Sequence, residues 1–236
     1  MDKRYSRQIA YKGVGEGGQR KLSAARIAIV GLGALGTVVA DRLCRAGIGF
    51  LRLIDADEVE LSNLQRQMLY TESDVGRSKV EAAALHIREI NRATMVEAIP
   101  EILTAENSAM LRGLSVVVDC TDNIAARYII NEQCHATGTP WVHGAAAGAD
   151  GVVFVVKPGG ACFRCLYPDV GVGGETADTL GVLGTLTAVV GALQANEALK
   201  TLLGEPSSGL LMLDVWNGVY EFIHVEKDPR CPVCGS

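Results

Sequence analysis

Gly31-Leu-Gly33-Ala-Leu-Gly36, followed at the end of the next apolar run by Asp55, is the first place in the chain where residue types and spacing point to chemistry. In such a run the first glycine permits a tight turn and the second lets backbone approach a phosphate. The third lets a helix pack closely on a strand. The helix N-terminus behind it offers free N–H groups and partial positive charge to an anion. Asp55 is placed to accept hydrogen bonds from a ribose. These features predict a nucleotide site, although the glycine run alone does not separate NAD from ATP.

The residues beyond Asp55 make that separation. Asn63, Arg66 and Gln67 lie in Leu61-Ser-Asn-Leu-Gln-Arg-Gln67, Lys79 closes Gly76-Arg-Ser-Lys79, and Asp122 and Asn123 come directly after Asp119-Cys-Thr. Taken singly, each of these residues is most simply a solvated charge or a helix cap. At successive strand ends they form a set that hydride transfer does not need. Phosphoryl or nucleotidyl transfer needs cations on the phosphates and a carboxylate for Mg²⁺. An NAD-dependent oxidoreductase would also need an acid/base; His143, alone at a strand end, reads more simply as a packing residue.

Cys162-Phe-Arg-Cys165 and Cys231-Pro-Val-Cys234 are two Cys-x-x-Cys pairs, enough for a tetrahedral Cys₄ zinc site that joins distant segments. Four protein ligands close such a site, so its metal would be structural. No thioredoxin-like pattern surrounds either pair. Cys44 and Cys134 fall on predicted helices and read as small buried hydrophobes.

The elements that must position these residues alternate. Strands are predicted at 26–30, 50–54 and 115–119, with helices from Leu35 to Ala46 stopping at Gly47, from Ser78 (as N-cap) to Ile90, and from Asn123 to Ala136. Strand, helix, strand, helix means a parallel sheet covered on both faces. After Asp150 come a β-rich run at 152–157, a long helix from Leu183 to Leu203 and two strands near 210–214 and 219–225. The expectation is one 1–236 domain of α/β class. It has a Rossmann-like, mostly parallel nucleotide-binding half at about 25–150 and a smaller mixed half at about 151–236 that carries the cysteines.

The whole chain has 236 residues, 48% of them apolar and 21% charged, which excludes a disordered or fibrous protein. With 27 acidic against 22 basic residues and 5% aromatics, it has neither the basic surface nor the stacking platforms of a nucleic-acid binder. The charged opening Met1–Gln8 lacks the apolar stretch of a secretory signal. The uncharged run from Thr179 to Asn196 is broken by Thr, Gln and Gly and reads as a buried or interface helix rather than a membrane span. Seven cysteines, an odd number, argue against a disulfide framework, and a cytoplasmic location is expected.

Ile29-Val-Gly-Leu-Gly-Ala-Leu-Gly36, Asp55-Ala-Asp57, Leu61–Gln67, Val75–Lys79 and Asp119-Cys-Thr-Asp-Asn123 resemble the ThiF/MoeB/HesA family, relatives of the ubiquitin-activating enzymes. The resemblance runs from Arg4-Tyr-Ser-Arg-Gln8 to Cys234. It implies adenylation of the Gly-Gly carboxylate of a small ubiquitin-like sulfur carrier, using ATP and Mg²⁺. Asp55 would hold ribose, Asn63, Arg66 and Lys79 would contact phosphates, and Asp122 would ligate Mg²⁺. Arg7 matches an arginine that in relatives reaches the neighbouring subunit's site, which implies a homodimer. The cysteine that many relatives carry before the long helix is missing from Gly171-Val-Gly-Gly-Glu-Thr-Ala-Asp-Thr179. Release of the adenylate to an external sulfur donor is therefore expected, and a non-catalytic zinc scaffold that binds such a carrier is the alternative.

Overall fold

Strands β1 (Arg26–Val30), β2 (Phe50–Ile54), β3 (Met95–Ile99), β4 (Val116–Asp119), β5 (Trp141–Ala147), β6 (Asp150–Val156), β7 (Leu210–Asp214) and β8 (Val219–Ile223) form one sheet in the order β3-β2-β1-β4-β5-β6-β7-β8. The computed structural model describes residues 3–168, 177–207 and 209–235. Pairing is parallel from β3 to β5 and antiparallel from β5 to β8. The expected mixed second half therefore continues the same sheet. Helices α1 (Ser6–Ala10), α2 (Gly15–Ala24), α3 (Ala34–Ala46), α4 (Lys79–Ile90), α5 (Ile124–Thr137), α6 (Phe163–Leu166), α7 (Ala177–Leu180) and α8 (Gly184–Leu203) complete the order.

The parallel strands read as continuous apolar runs because both faces of the sheet are covered. Ile27, Ile29, Leu53, Val118 and Val142 face one core, shared with Val39 and Leu43 of α3, Val80 and Ile87 of α4, and Val190 of α8. Ala28, Val30, Val117 and Trp141 face the other, shared with Ile130 of α5, Phe163 and the four paired cysteines. The zinc-type cysteines are thus part of the second core.

The expected strands and helices are present to within a few residues, and α3 stops at Gly47 as its sequence predicts. Ser78 is different. It occupies the N-cap position of α4, yet its hydroxyl makes no capping bond and is buried without a partner. The carbonyl of Asp57 accepts the Lys79 N–H at 2.9 Å, so the preceding loop does what a cap would do. Strand β3 and helices α1 and α2 carry no strong sequence signal; β3 is a half-exposed edge strand with Glu97 at its middle. Among the described residues no helix is long and apolar enough to cross a membrane.

The glycine run shows why its third member is fixed. Gly31 has φ 88°, and a Cβ on Gly36 would lie 1.9 Å from the Gly31 carbonyl oxygen. At Gly33 the nearest neighbour to a Cβ would be Gln67 Nε2, 3.9 Å away. Gly36→Ala is therefore expected to lower the unfolding free energy by about 3 kcal/mol in urea titrations, while Gly33→Ala changes it by less than about 0.5 kcal/mol. Equal stability of the two variants would refute the packing role.

Candidate functional site

Register places the site. One row of paired residues crosses the sheet as Ile99, Ile54, Val30, Asp119 and His143. The residues one step beyond it, Asp55, Gly31 and Cys120, open at the carboxyl edge into a cavity of about 800 Å³. That is the crevice where open α/β sheets bind ligands, and the volume lies in the upper range of ligand pockets. Gly33, Asn63, Arg66, Gln67, Lys79, Asp122, Asn123 and Arg127 also line it. Gly36 does not line the wall, because it is pressed against Gly31 behind the loop.

Asp55 holds the glycine loop as well as facing the cavity. Its Oδ2 accepts the Leu32 N–H at 2.6 Å and its Oδ1 the Asp57 N–H at 2.8 Å. Burial pushes its carboxyl above the usual value, and the two amide bonds pull it back. Tyr70, itself buried, places its hydroxyl 2.9 Å from the Leu32 carbonyl and 3.2 Å from that of Lys79. The glycine loop and the start of α4 are thereby tied together. Burial raises the Tyr70 phenol far above its ordinary value, so it stays a neutral donor.

Lys79 is 7% exposed, and its Nζ donates to Asp57 Oδ2 at 2.7 Å. Asn63 closes a single 3₁₀ turn over Leu61–Asn63 by accepting the Glu60 N–H at 3.2 Å. Arg66, one turn on, donates to the Ser62 carbonyl at 3.1 Å. Gln67 is 3% exposed, and its Oε1 is buried without a hydrogen-bond partner, which suits a site built to take a polar ligand.

At the end of β4 the chain turns through Thr121-Asp122-Asn123 into α5. Asn123 is the N-cap of α5, accepting from Ala125 and Ala126 N–H at 2.8 and 3.4 Å, so its side-chain oxygen is committed to the helix. Asp122 stands exposed on the cavity wall. Sequence reasoning missed Arg127, which reaches back to donate to the Thr121 carbonyl at 2.6 Å. Its place one turn into the helix that Asn123 caps is no signal by itself, because an arginine there reads as a solvated charge. Beneath the turn, Asp119 is fully buried beside His143, 2.7 Å from its Nδ1.

Arg7 lies exposed on α1 and does not line this cavity. The Gly171–Thr179 segment, where the expected cysteine is missing, falls mostly outside the described residues.

The four paired cysteines converge. Their sulfurs all lie within 4.8 Å of one another, with Cys162–Cys231 at 3.5 Å and Cys165–Cys234 at 3.3 Å. Zinc–thiolate bonds of about 2.3 Å in a tetrahedron put sulfurs about 3.8 Å apart, so the donor set fits zinc. All seven cysteines are free thiols. Cys44 and Cys134 are buried, and burial pushes the Cys134 thiol up to about 12, which makes it inert packing.

A glycine loop, the cations Arg66, Lys79 and Arg127 and the carboxylates Asp55 and Asp122 at the carboxyl edge of a mostly parallel sheet define a nucleotide-binding α/β protein with a Cys₄ cluster in its core. The ThiF family model matches residues 5–233, and the chain belongs to that family. It is 41% identical over 239 residues to the SAMP-activating enzyme E1 of Haloferax volcanii, covering 99% of this chain and 88% of that protein. To the molybdopterin-synthase adenylyltransferase of Escherichia coli it is 40% identical, covering 99% of this chain and 96% of that protein. Among solved structures, that of E. coli MccB with ATP superposes with a TM-score of 0.87 at 25% identity, covering 100% of this chain and 75% of that one.

The Asp119–His143 pair gives the fold a pH dependence. Burial lowers the His143 pKa, partly offset by Asp119, so between its folded value and about 6.5 the unfolded chain binds a proton that the folded chain resists. This contribution to stability is complete above about 6.5 and is lost as pH falls below it. Asp119 is held below the usual carboxylate range, despite its burial, by the His143 hydrogen bond and by Arg127, and its contribution is lost only below about 3.9. Urea unfolding should show the wild type losing up to about 1 kcal/mol more than His143→Asn between pH 6.5 and 5.5. Parallel curves for the two proteins would contradict it.

Proposed function

We propose that this protein adenylates the C-terminal carboxylate of a small ubiquitin-like sulfur carrier that ends in Gly-Gly, with ATP and Mg²⁺. The observation that carries this reading is the convergence of Lys79, Arg66 and Asp122 on the cavity that the glycine loop opens. The names of its relatives, a molybdopterin-synthase adenylyltransferase among them, point the same way.

A carboxylate attacking a phosphate meets like charge. The new bond joins a carboxylate oxygen of the carrier to the α-phosphorus; the bond that breaks joins the α-phosphorus to the bridging oxygen of pyrophosphate, which leaves with the electron pair. Lys79 and Arg66 neutralise charge on the phosphates, and Asp122 would hold Mg²⁺, whose charge would help to stabilise the leaving pyrophosphate. Gly31 and Gly33 let backbone N–H groups approach the phosphates, Asn63 and the Gln67 amide complete the polar wall, and Asp55 faces the ribose while it braces the loop. Asn123 acts through the helix it caps.

The 151–236 half takes the carrier, and its Cys162, Cys165, Cys231 and Cys234 would hold zinc. Zinc there would tie the segment around α6 to the chain's last residues and would not touch the reaction. Arg7 completes the neighbouring subunit's site in a homodimer, and an external sulfur donor attacks the acyl carbon of the adenylate, forming a C–S bond as the C–O bond to the phosphate breaks and AMP leaves. A cytoplasmic compartment keeps the four thiolates reduced for zinc.

Arg66→Ala and Lys79→Ala are each expected to cut carrier-dependent ATP–pyrophosphate exchange by ~10²–10³-fold with an unchanged circular dichroism spectrum. Full exchange in both variants would remove the assignment. Metal analysis of the reduced, purified protein is expected to give about one zinc per chain, lost when Cys162 and Cys165 are both replaced by Ser. A zinc content near zero in the intact protein would refute the metal reading.

A further inference from the structure

Asp119 and His143 are register partners on adjacent parallel strands, so their side chains leave the same face of the sheet side by side. That face is the one covered by α5 and the cysteine cluster. Asp119 is 0% exposed, and a carboxylate with no water must have its oxygens answered by protein donors. Oδ1 accepts the Thr121 N–H at 3.0 Å and the Thr121 hydroxyl at 2.7 Å. Oδ2 lies 2.7 Å from His143 Nδ1, while the Arg127 Nε stands off at 3.6 Å.

His143 is set in turn by aromatic packing. Phe163 meets its ring nearly edge-on, with centroids 5.0 Å apart, and Trp141 and Tyr167 flank it at 6.1 and 6.4 Å. Phe163 sits between Cys162 and Cys165, and its N–H donates to the buried Asn131 of α5 at 2.9 Å. A continuous contact path therefore runs from the cysteine knuckle through Phe163, His143 and Asp119 to the Thr121–Asp122 turn.

We propose that His143 is a positioning residue for the metal-binding turn: by donating to Asp119 it holds the carboxylate in the orientation that fixes Thr121, and so aims Asp122 into the cavity. Without that donor, Asp119 Oδ2 keeps only the distant Arg127, and the carboxylate turns toward the guanidinium and away from Thr121. The same shift disturbs the Arg127–Thr121 bond, the turn's second hold. The inference rests on the reading of Asp122 as the Mg²⁺ ligand.

Mn²⁺ binding in the presence of a non-hydrolysable ATP analogue, read by water-proton relaxation, tests both levels. His143→Leu, which keeps bulk but loses the donor, and Thr121→Val, which loses the hydroxyl that Asp119 accepts, are each expected to weaken Mn²⁺ binding roughly 10-fold. His143→Asn, whose amide N–H can stand in for Nδ1–H, restores most of that affinity. Metal-free binding of the analogue stays the same in all three variants. Should His143→Leu fail to fold, Thr121→Val decides.

Asp122→Asn is the control for the underlying reading. If it binds Mn²⁺ as the wild type does, Asp122 is not the ligand and the inference falls with that assignment. If Asp122→Asn loses affinity while Thr121→Val and His143→Leu keep it, the positioning role alone is overturned. Equal losses in His143→Leu and His143→Asn also overturn it, because packing rather than the donated hydrogen bond would then be at work.

Discussion

Lys79 carries its ammonium group to a place that is 7% exposed, and a charge so placed is stable only where fixed partners answer it. Asp57 answers twice, with its carboxylate at 2.7 Å and its carbonyl on the Lys79 amide at 2.9 Å. The Tyr70 hydroxyl ties the Lys79 carbonyl to the glycine loop, and Asp55 ties that loop to Asp57. The cation, the phosphate-type loop and the acid of the second strand are thus one hydrogen-bonded unit. None of them can move far without leaving a buried polar group unanswered. This rigidity is what electrostatic catalysis requires, since donors already in place need no reorganisation as charge develops.

The other half of the molecule is built on the same sheet. The antiparallel strands extend the parallel ladder, and the cysteine cluster completes the core against which α5 packs. The cluster is remote from the cavity in sequence yet linked to it through Phe163 and His143. A closed four-thiolate site gives a metal no open position for substrate, so its effect on the cavity passes through packing alone.

Much of this was legible in the sequence. The glycine run, Asp55 and the continuous apolar strands announced a parallel sheet and its ligand edge, because a strand buried on both faces has no other way to read. The cysteine pairs announced a tetrahedral donor set. Arg127 was not legible, because an arginine inside a helix reads as a solvated charge until the Thr121 carbonyl is seen in front of it. Asn123 lines the cavity, as its place in the sequence suggests, and its side-chain oxygen also caps α5, a use that the residue type alone does not reveal. Ser78 has the right residue at the right place for a cap, yet the tertiary fold supplied the Asp57 carbonyl first. The partnership of Asp119 with His143 depends on strand order and register, which no local pattern encodes. It explains why a histidine read as a packing residue also bonds to a buried carboxylate.

Adenylation as proposed requires that the α-phosphorus of ATP be attacked by another polypeptide's terminal carboxylate. The most direct measurement follows label from ATP into a carrier protein ending in Gly-Gly, with the intact carrier weighed after brief incubation. Label from the α-phosphate should appear on the carrier together with an added adenylyl mass, while label from the γ-phosphate leaves entirely as pyrophosphate. Transfer of the γ-label to the carrier, or an unmodified carrier beside hydrolysed ATP, would exclude attack at the α-phosphorus.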